Sequence, residues 1–222
     1  MSTAAPASTA PEVAASAVVA ALERAWTTIR TRHPEVPQAV VILGAGSEAR
    51  KGLFKLGHFA AARWHVNGDR RAEVLVSGEG LQRGARDVLD TLLHEAAHGL
   101  AHARDVKDTS RQGRYHNRHF ARLAAELGLD VACDPKIGWS LTTVPDQLAT
   151  VYAEQLADLD AALTLWRYAE QQTGQTSTSR NLLACQCPCG RKLRTSRKTL
   201  EEGPVLCGLC DEPFEPTSDV DA

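Results

Sequence analysis

The sequence predicts an α+β chain: a main domain of helices with a small three-stranded sheet, followed by a cysteine-rich module too short to build its own core. Three observations predict it. Apolar residues recur at helical spacing in several separate stretches, β-branched runs flank an Asn-Gly turn, and five of the six cysteines fall between Cys185 and Cys210. With 222 residues, 43% of them hydrophobic, the chain can bury one main core and a satellite. Its net charge of -2 argues against nucleic-acid binding through bulk positive charge, while leaving local basic patches open.

Residues 1–12, rich in Ala, Ser, Thr and Pro, are expected to form a disordered tail, since they lack the basic and apolar segments of an export signal. No apolar run reaches the roughly 18 residues of a membrane span. Clustered thiols without an export signal indicate a reducing compartment, so a cytoplasmic location and no membrane partner are expected.

The main domain is expected over 13–172. Val18, Leu22, Ala25, Trp26 and Ile29 place a packing helix over Val13–Arg32, ended by His33-Pro34. Ala39–Leu43 reads as a strand, closed by Gly44-Ala45-Gly46. That glycine run lacks the Lys-Ser/Thr of a phosphate loop and is read as a turn. His58–His65 and Arg71–Ser77 bracket Asn67-Gly68-Asp69 as a hairpin, which completes three strands. His58 and His65 lie on opposite faces of a regular strand and are expected to be structural. Glu73–Glu79 is the expected open edge, able to hold an extended peptide by main-chain hydrogen bonds.

Val88, Leu89, Leu92, Leu93, Ala96, Ala97 and Leu100 predict a largely buried helix from Gly84 to Ala103. It carries His94-Glu95-Ala96-Ala97-His98. Residues four apart on a helix are offset by about 40° and about 6 Å, so both imidazoles can converge on one ion. Glu95 then sits beside the metal without ligating it, where a general base takes a proton from an attacking water. Two histidines and a glutamate in an apolar helix are costly to bury without a ligand, so a catalytic zinc is expected.

Such a site needs a third protein ligand. His102 lies about 12 Å along the helix from His94, beyond the reach of bonds of about 2 Å. Ala101 and Arg104 stand where the metzincin pattern requires Gly and His, which excludes that family. Downstream, Phe120, Leu123, Ala124 and Leu127 predict a second helix, capped by Asn117 and stopped by Gly128. His116, at its mouth, is the expected third ligand, with His119 and Glu126 as the alternatives. The intervening loop carries Arg104, Lys107, Arg111, Arg114 and Arg118, read as solvated charge or as contacts to nucleic-acid phosphates. Tyr115 is expected to pack, the alternative being a hydrogen bond to an oxyanion.

Beyond this, Cys133 is expected to be a small buried hydrophobe and Gly138–Thr142 an irregular connection. A long helix is expected over Leu148–Gln171, with Tyr152, Leu156, Leu159, Leu163 and Trp166 along one face. A polar linker spans 173–184. In 185–212, Cys207-Gly208-Leu209-Cys210 forms one metal knuckle and Cys187 with Cys189 the other, Gly190 permitting the tight turn; Cys185 is the alternative member. Arg191, Lys192, Arg194, Arg197 and Lys198 outnumber Glu201 and Glu202 there, so the module either contacts nucleic acid weakly or is purely structural. Residues 213–222 form an acidic tail.

His94-Glu95-x-x-His98, then His116-Asn117-x-x-Phe120, then Leu127-Gly128-Leu129 and a Cys-x-Cys-Gly module resemble the SprT-like family of zinc metallopeptidases. The likeness covers positions 35–130 and 185–212, with Asn117 replacing the family's usual Gly. It implies a zincin-like fold and one catalytic zinc on His94, His98 and His116, with Glu95 catalytic. It also implies a structural zinc ribbon on Cys187, Cys189, Cys207 and Cys210. The expected substrate is protein, bound or crosslinked to DNA, with DNA a partner through the basic loop and ribbon. The alternatives are a protease of a regulator that needs no DNA, and a non-catalytic zinc protein that binds nucleic acid or a transcription partner.

Overall fold

The structure, a computed structural model, describes residues 15–50, 53–169 and 182–217. The tail expected over 1–12 and residues 173–181 of the expected linker lie outside this description. The fold is mixed α+β, and the chain divides into two compact units, Met1–Ala169 and Glu170–Ala222.

In the first unit, helix α1 (Ala15–Arg32) buries Val18, Leu22, Trp26 and Ile29. Strand β1 (Ala39–Gly44) is followed by a short hairpin of β2 (Ser47–Arg50) and β3 (Leu53–Lys55). Strands β4 (Gly57–Val66) and β5 (Asp69–Ser77) meet at Asn67-Gly68, where φ values of 51° and 92° give the mirror-image turn that suits the twist of a hairpin. The sheet order is β1-β5-β4, with β1 parallel and β4 antiparallel to β5.

That order corrects one expectation. Glu73–Ser77 belongs to the central strand, and Glu79 lies in a buried 3-10 turn (Gly78–Arg83), so this stretch is no edge. The parallel partner β1 takes one side of β5 and the hairpin partner takes the other. The edges are β1 and β4, and β4 carries a bulge between Ala60 and Trp64 with Ala62 at φ 54°.

Helix α2 (Ala85–Ala103) packs against the sheet, and Leu89, Leu92, Leu93, Ala96, Ala97 and Leu100 join Val74, Val76 and the α1 residues in one core. Each leucine buried in full contributes about 1.5–3 kcal/mol, so the unit is held by packing before any ligand is considered. Beyond α2, strands β6 (Thr109–Ser110) and β7 (Tyr115–His116), helix α3 (Arg118–Glu126), and strands β8 (Asp130–Asp134) and β9 (Gly138–Thr143) follow. The four strands form a second sheet in the order β6-β7-β9-β8. Gly138–Thr142, expected to be irregular, is therefore a strand inside a sheet. Cys133, expected to be buried, is exposed on edge strand β8 beside an irregularity in its pairing.

The long helix expected from Leu148 to Gln171 is instead α4 (Asp146–Val151) and α5 (Ala153–Ala162). They are separated at Tyr152, whose φ of -108° and ψ of 24° turn its ring into the core. The chain leaves helix at Leu163, and Trp166 is exposed rather than packed. Arg167 then pairs with the carboxylate of Glu79, and its N–H donates to Gly78 O. Glu170 and Gln171 lie outside the described residues.

The second unit contains β10 (Leu182–Gln186), β11 (Lys192–Ser196), α6 (Arg197–Glu202) and β12 (Glu215–Pro216), its sheet running β11-β10-β12. Its buried residues are Cys185, Cys187, Cys207 and Phe214. It extends past both ends of 185–212, since Leu182 pairs with Ser196 and Thr217 N–H donates to Ala184 O. No described helix is long and apolar enough to cross a membrane.

Candidate metal centres

Helical spacing puts His94 and His98 on one face of α2, and the cap of α3 brings His116 to meet them. Asn117 Oδ1 accepts from the N–H of His119 and of Phe120, which starts α3, while Asn117 Nδ2 donates to Lys107 O at 2.8 Å. That side chain ties the helix start to the loop after α2. His116 is fixed from behind by its own N–H to Ile137 O and by parallel pairing with Gly138. Gly138 has φ 73°, and a Cβ there would lie 2.1 Å from His116 O, so only glycine fits.

The three imidazoles converge. His116 Nε2 lies 3.3 Å from His94 Nε2 and 3.1 Å from His98 Nε2. Bonds of about 2.05 Å at the tetrahedral angle separate ligand nitrogens by about 3.3 Å, so this spacing fits a zinc-sized ion. Phe120, fully buried, stacks against all three rings at 4.5–4.8 Å between centroids and closes the floor. Burial, reinforced by His98 and His116, holds His94 well below the ordinary imidazole pKa; burial and then His98 depress His116 to about 4. Both rings are therefore neutral at physiological pH, the form that ligates.

The outer nitrogens differ in their partners. His98 Nδ1 meets Asp108 Oδ2 at 2.5 Å, a carboxylate that holds the proton on Nδ1 and leaves Nε2 its lone pair. His94 Nδ1 meets Thr142 Oγ1 at 3.2 Å, and Thr142 in turn donates to Asp90 Oδ2 at 3.2 Å. His116 Nδ1 is buried with no hydrogen-bond partner among the described residues.

Glu95 is buried beside this cluster, 4% exposed, and burial raises its pKa against the opposing influence of His98, Lys55 and His58 and a bond from the Phe59 N–H. The glutamate thus reaches the edge strand β4. Gly57 lets that strand approach: a Cβ there would lie 2.7 Å from Thr91 Cγ2 and 3.0 Å from Glu95 Oε1. Burial thus makes this carboxyl hold a proton more readily than an exposed glutamate does.

The competing ligands lie elsewhere. His119 is exposed, and Glu126 is bound by Arg104, which also grips Glu35. His102 is exposed, with its ring 6.0 Å from that of Phe59. His58 pairs with Glu73 at 2.8 Å. Of the basic loop, Arg104 is taken up by these ion pairs and Arg111 lies over the Tyr115 ring at 4.6 Å, leaving Lys107, Arg114 and Arg118 outward. Tyr115 itself packs: its Cε1 stands where a Cβ on Gly138 would be crowded at 2.9 Å.

In the second unit, Cys187, Cys189, Cys207 and Cys210 bring their sulfurs within 4.8 Å of one another. Cys187 to Cys210 and Cys189 to Cys207 are each 3.7 Å, close to the roughly 3.8 Å edge of a tetrahedral thiolate site; Cys187 to Cys189, at 2.7 Å, is shorter than that edge. Tight turns aim the cysteines inward: Gly190, at φ 88°, donates to Cys187 O, and Cys210 and Asp211 donate to Cys207 O. The backbone N–H groups of Leu209 and Cys210 help lower the Cys207 thiol to about 6. Cys185 is excluded from the group and buried, its thiol directed to Leu183 O at 3.7 Å.

Both clusters are candidate metal sites whose donors are compatible with zinc. The partners that sequence reasoning missed are Asp90, Asp108, Thr142, Gly57 and Gly138. Asp90, one turn before His94, offered a local signal; the others act through strand pairing or a loop fold. Comparisons of the chain with protein-family models, with curated proteins and with solved structures find no match.

Proposed function

We propose that this chain is a zinc-dependent metallopeptidase of the SprT-like kind, in which a zincin-like domain precedes a zinc ribbon. The observation that carries the reading is one arrangement: three imidazoles from two segments share a ligand-sized space, with a buried glutamate of raised pKa beside them under an edge strand. A zinc ion held by His94, His98 and His116 would supply the charge that polarises a carbonyl and makes water acidic near pH 7. Glu95 accepts a proton from the attacking water and returns it to the departing amine nitrogen. Strand β4, whose outer side has no strand partner among the described residues, aligns an extended substrate by main-chain hydrogen bonds. This replaces the role first expected of Glu73–Glu79.

A structural site built on four cysteines has no need of a carboxylate, and a purely structural histidine site would have no need of Glu95. The substrate class, proteins bound or crosslinked to DNA, rests on the SprT-like resemblance and on exposed Lys107, Arg114 and Arg118, with Lys192, Arg194, Arg197 and Lys198 in the ribbon. The test is cleavage of a DNA-bound protein by the full chain, with and without DNA, against the Glu95→Gln variant. The reading predicts that the variant keeps its metal and loses cleavage by about 100-fold or more, and that DNA stimulates the wild type. Cleavage that ignores DNA removes the DNA-directed reading. Equal cleavage by both proteins removes the peptidase.

A further inference from the structure

We infer that Thr142, backed by Asp90, is a positioning residue for the histidine site, fixing which nitrogen of His94 faces the metal. The inference rests on the metal reading above and extends it to strand β9, outside the recognisable motif. The reasoning is one of hydrogen-bond direction. Burial lifts Asp90 to about 6, so at pH 7.5 it is an ionised carboxylate that can only accept, and the Thr142 hydroxyl, 3.2 Å from Asp90 Oδ2, spends its single proton there. Its lone pairs are then what it offers His94 Nδ1, also at 3.2 Å. The proton of His94 must therefore sit on Nδ1, and Nε2 turns its lone pair toward His116 Nε2. Without the relay, either tautomer is open to His94, and only one of them ligates through Nε2.

The geometry around Thr142 supports a dedicated role. Asp90 lies one turn before His94 on α2, and among the described residues its second oxygen is buried without a partner and the Thr142 hydroxyl is its one hydrogen-bond donor. Burial of a carboxylate at a single bond is costly, and that cost is consistent with a selected contact rather than a filler. Thr142 is also four residues along β9 from Gly138, whose pairing fixes His116. One strand thus braces ligands from both segments: the backbone at its start holds His116, and the hydroxyl near its end orients His94. His98 has a different arrangement, bonding the Asp108 carboxylate directly.

The experiment is a zinc competition titration of the full chain against a fluorescent chelator, comparing wild type with Thr142→Val, Thr142→Ser and Asp90→Asn. The cysteine site provides an internal control, since none of these changes touches it. Thr142→Val keeps the shape and removes the hydroxyl, and should weaken zinc at the histidine site 10- to 100-fold. Thr142→Ser restores the hydroxyl and should return affinity to within about threefold of wild type; Asp90→Asn, which can donate as well as accept, should fall between. Long-range nitrogen–proton NMR of the metal-free proteins should show one His94 tautomer in wild type and a mixture in Thr142→Val. Wild-type affinity in Thr142→Val, or serine as weak as valine, overturns the inference, the second because packing alone would then explain the loss. A wild-type chain that binds zinc only at the cysteines overturns the metal reading itself, and this inference with it.

Discussion

The two candidate metal sites stand in opposite relations to their surroundings. The histidine site is set on helix α2, inside a unit whose core of leucines, valines and aromatics is complete without it. The cysteine site is most of its unit's core: of the four buried residues among those described there, three are cysteines, two of them members of the four-cysteine group. In the first unit the site sits on a core built of other residues; in the second the cysteines are themselves most of the described core. The histidine cluster also has three protein donors and a neighbouring glutamate, where the cysteine cluster has four donors and no carboxylate among them. Three donors suit chemistry at an open position, and four suit a closed structural role.

Metal removal should separate the two most sharply. Chelation, or Cys207→Ser, should unfold the second unit, because structural zinc supplies apparent binding free energy of about 10 kcal/mol or more. The first unit should keep its helical circular dichroism. If both units melt together, the contrast fails. Next in size is Gly138→Ala, which forces a side chain into a space 2.1 Å from His116 O at φ 73°. It should cost the first unit about 2–4 kcal/mol and release the histidine-bound ion, with the cysteine site untouched. Denaturant melts with metal counts on each variant check this.

A smaller effect is expected from pH. His116 is lowered to about 4 and His94 is lowered too, so these two rings bind fewer protons in the folded metal-free unit than in the unfolded chain below the ordinary imidazole value of 6.5, while Asp90, lifted by burial to about 6, and Glu95, also lifted by burial, act in the opposite sense. The His116 contribution is therefore present above about pH 6.5 and is lost as pH falls toward about 4, by on the order of 2 kcal/mol after solvent screening. Urea melts of the metal-free wild type and His116→Ala at pH 7.5 and 5 isolate it: the stability advantage of the wild type over the variant should shrink at pH 5. The smallest change is Arg104→Ala, which breaks exposed pairs with Glu35 and Glu126 and should lower the melting temperature by only a few degrees. It should leave DNA binding unaltered, because this arginine is already occupied by carboxylates.

What the sequence made legible was local. Helical period found α1 and α2, Asn67-Gly68 found the hairpin, and Asn117 as a cap brought forward His116 as the histidine that meets His94 and His98. What it hid was pairing at a distance. The parallel partner of β5 lies some thirty residues upstream of it in register, Ala39 against Ala72, so nothing near Glu73 marks it as central. Strands of two residues, as at Thr109–Ser110 and Tyr115–His116, are too short to show alternation, which concealed the second sheet and with it Gly138 and Thr142. The long helix failed because its apolar spacing passes unbroken through Tyr152, where burial of the ring, and not period, decides the backbone. Cys133 was misread because hydrophobicity speaks for burial but not for an edge strand.

X-ray absorption at the zinc edge, with a count of ions per chain, tests the account most directly. It predicts two ions: one surrounded by sulfur alone and one by imidazole nitrogen, the latter lost in His116→Ala and kept in Glu95→Gln. A single ion with only sulfur neighbours, unchanged by His116→Ala, would contradict it.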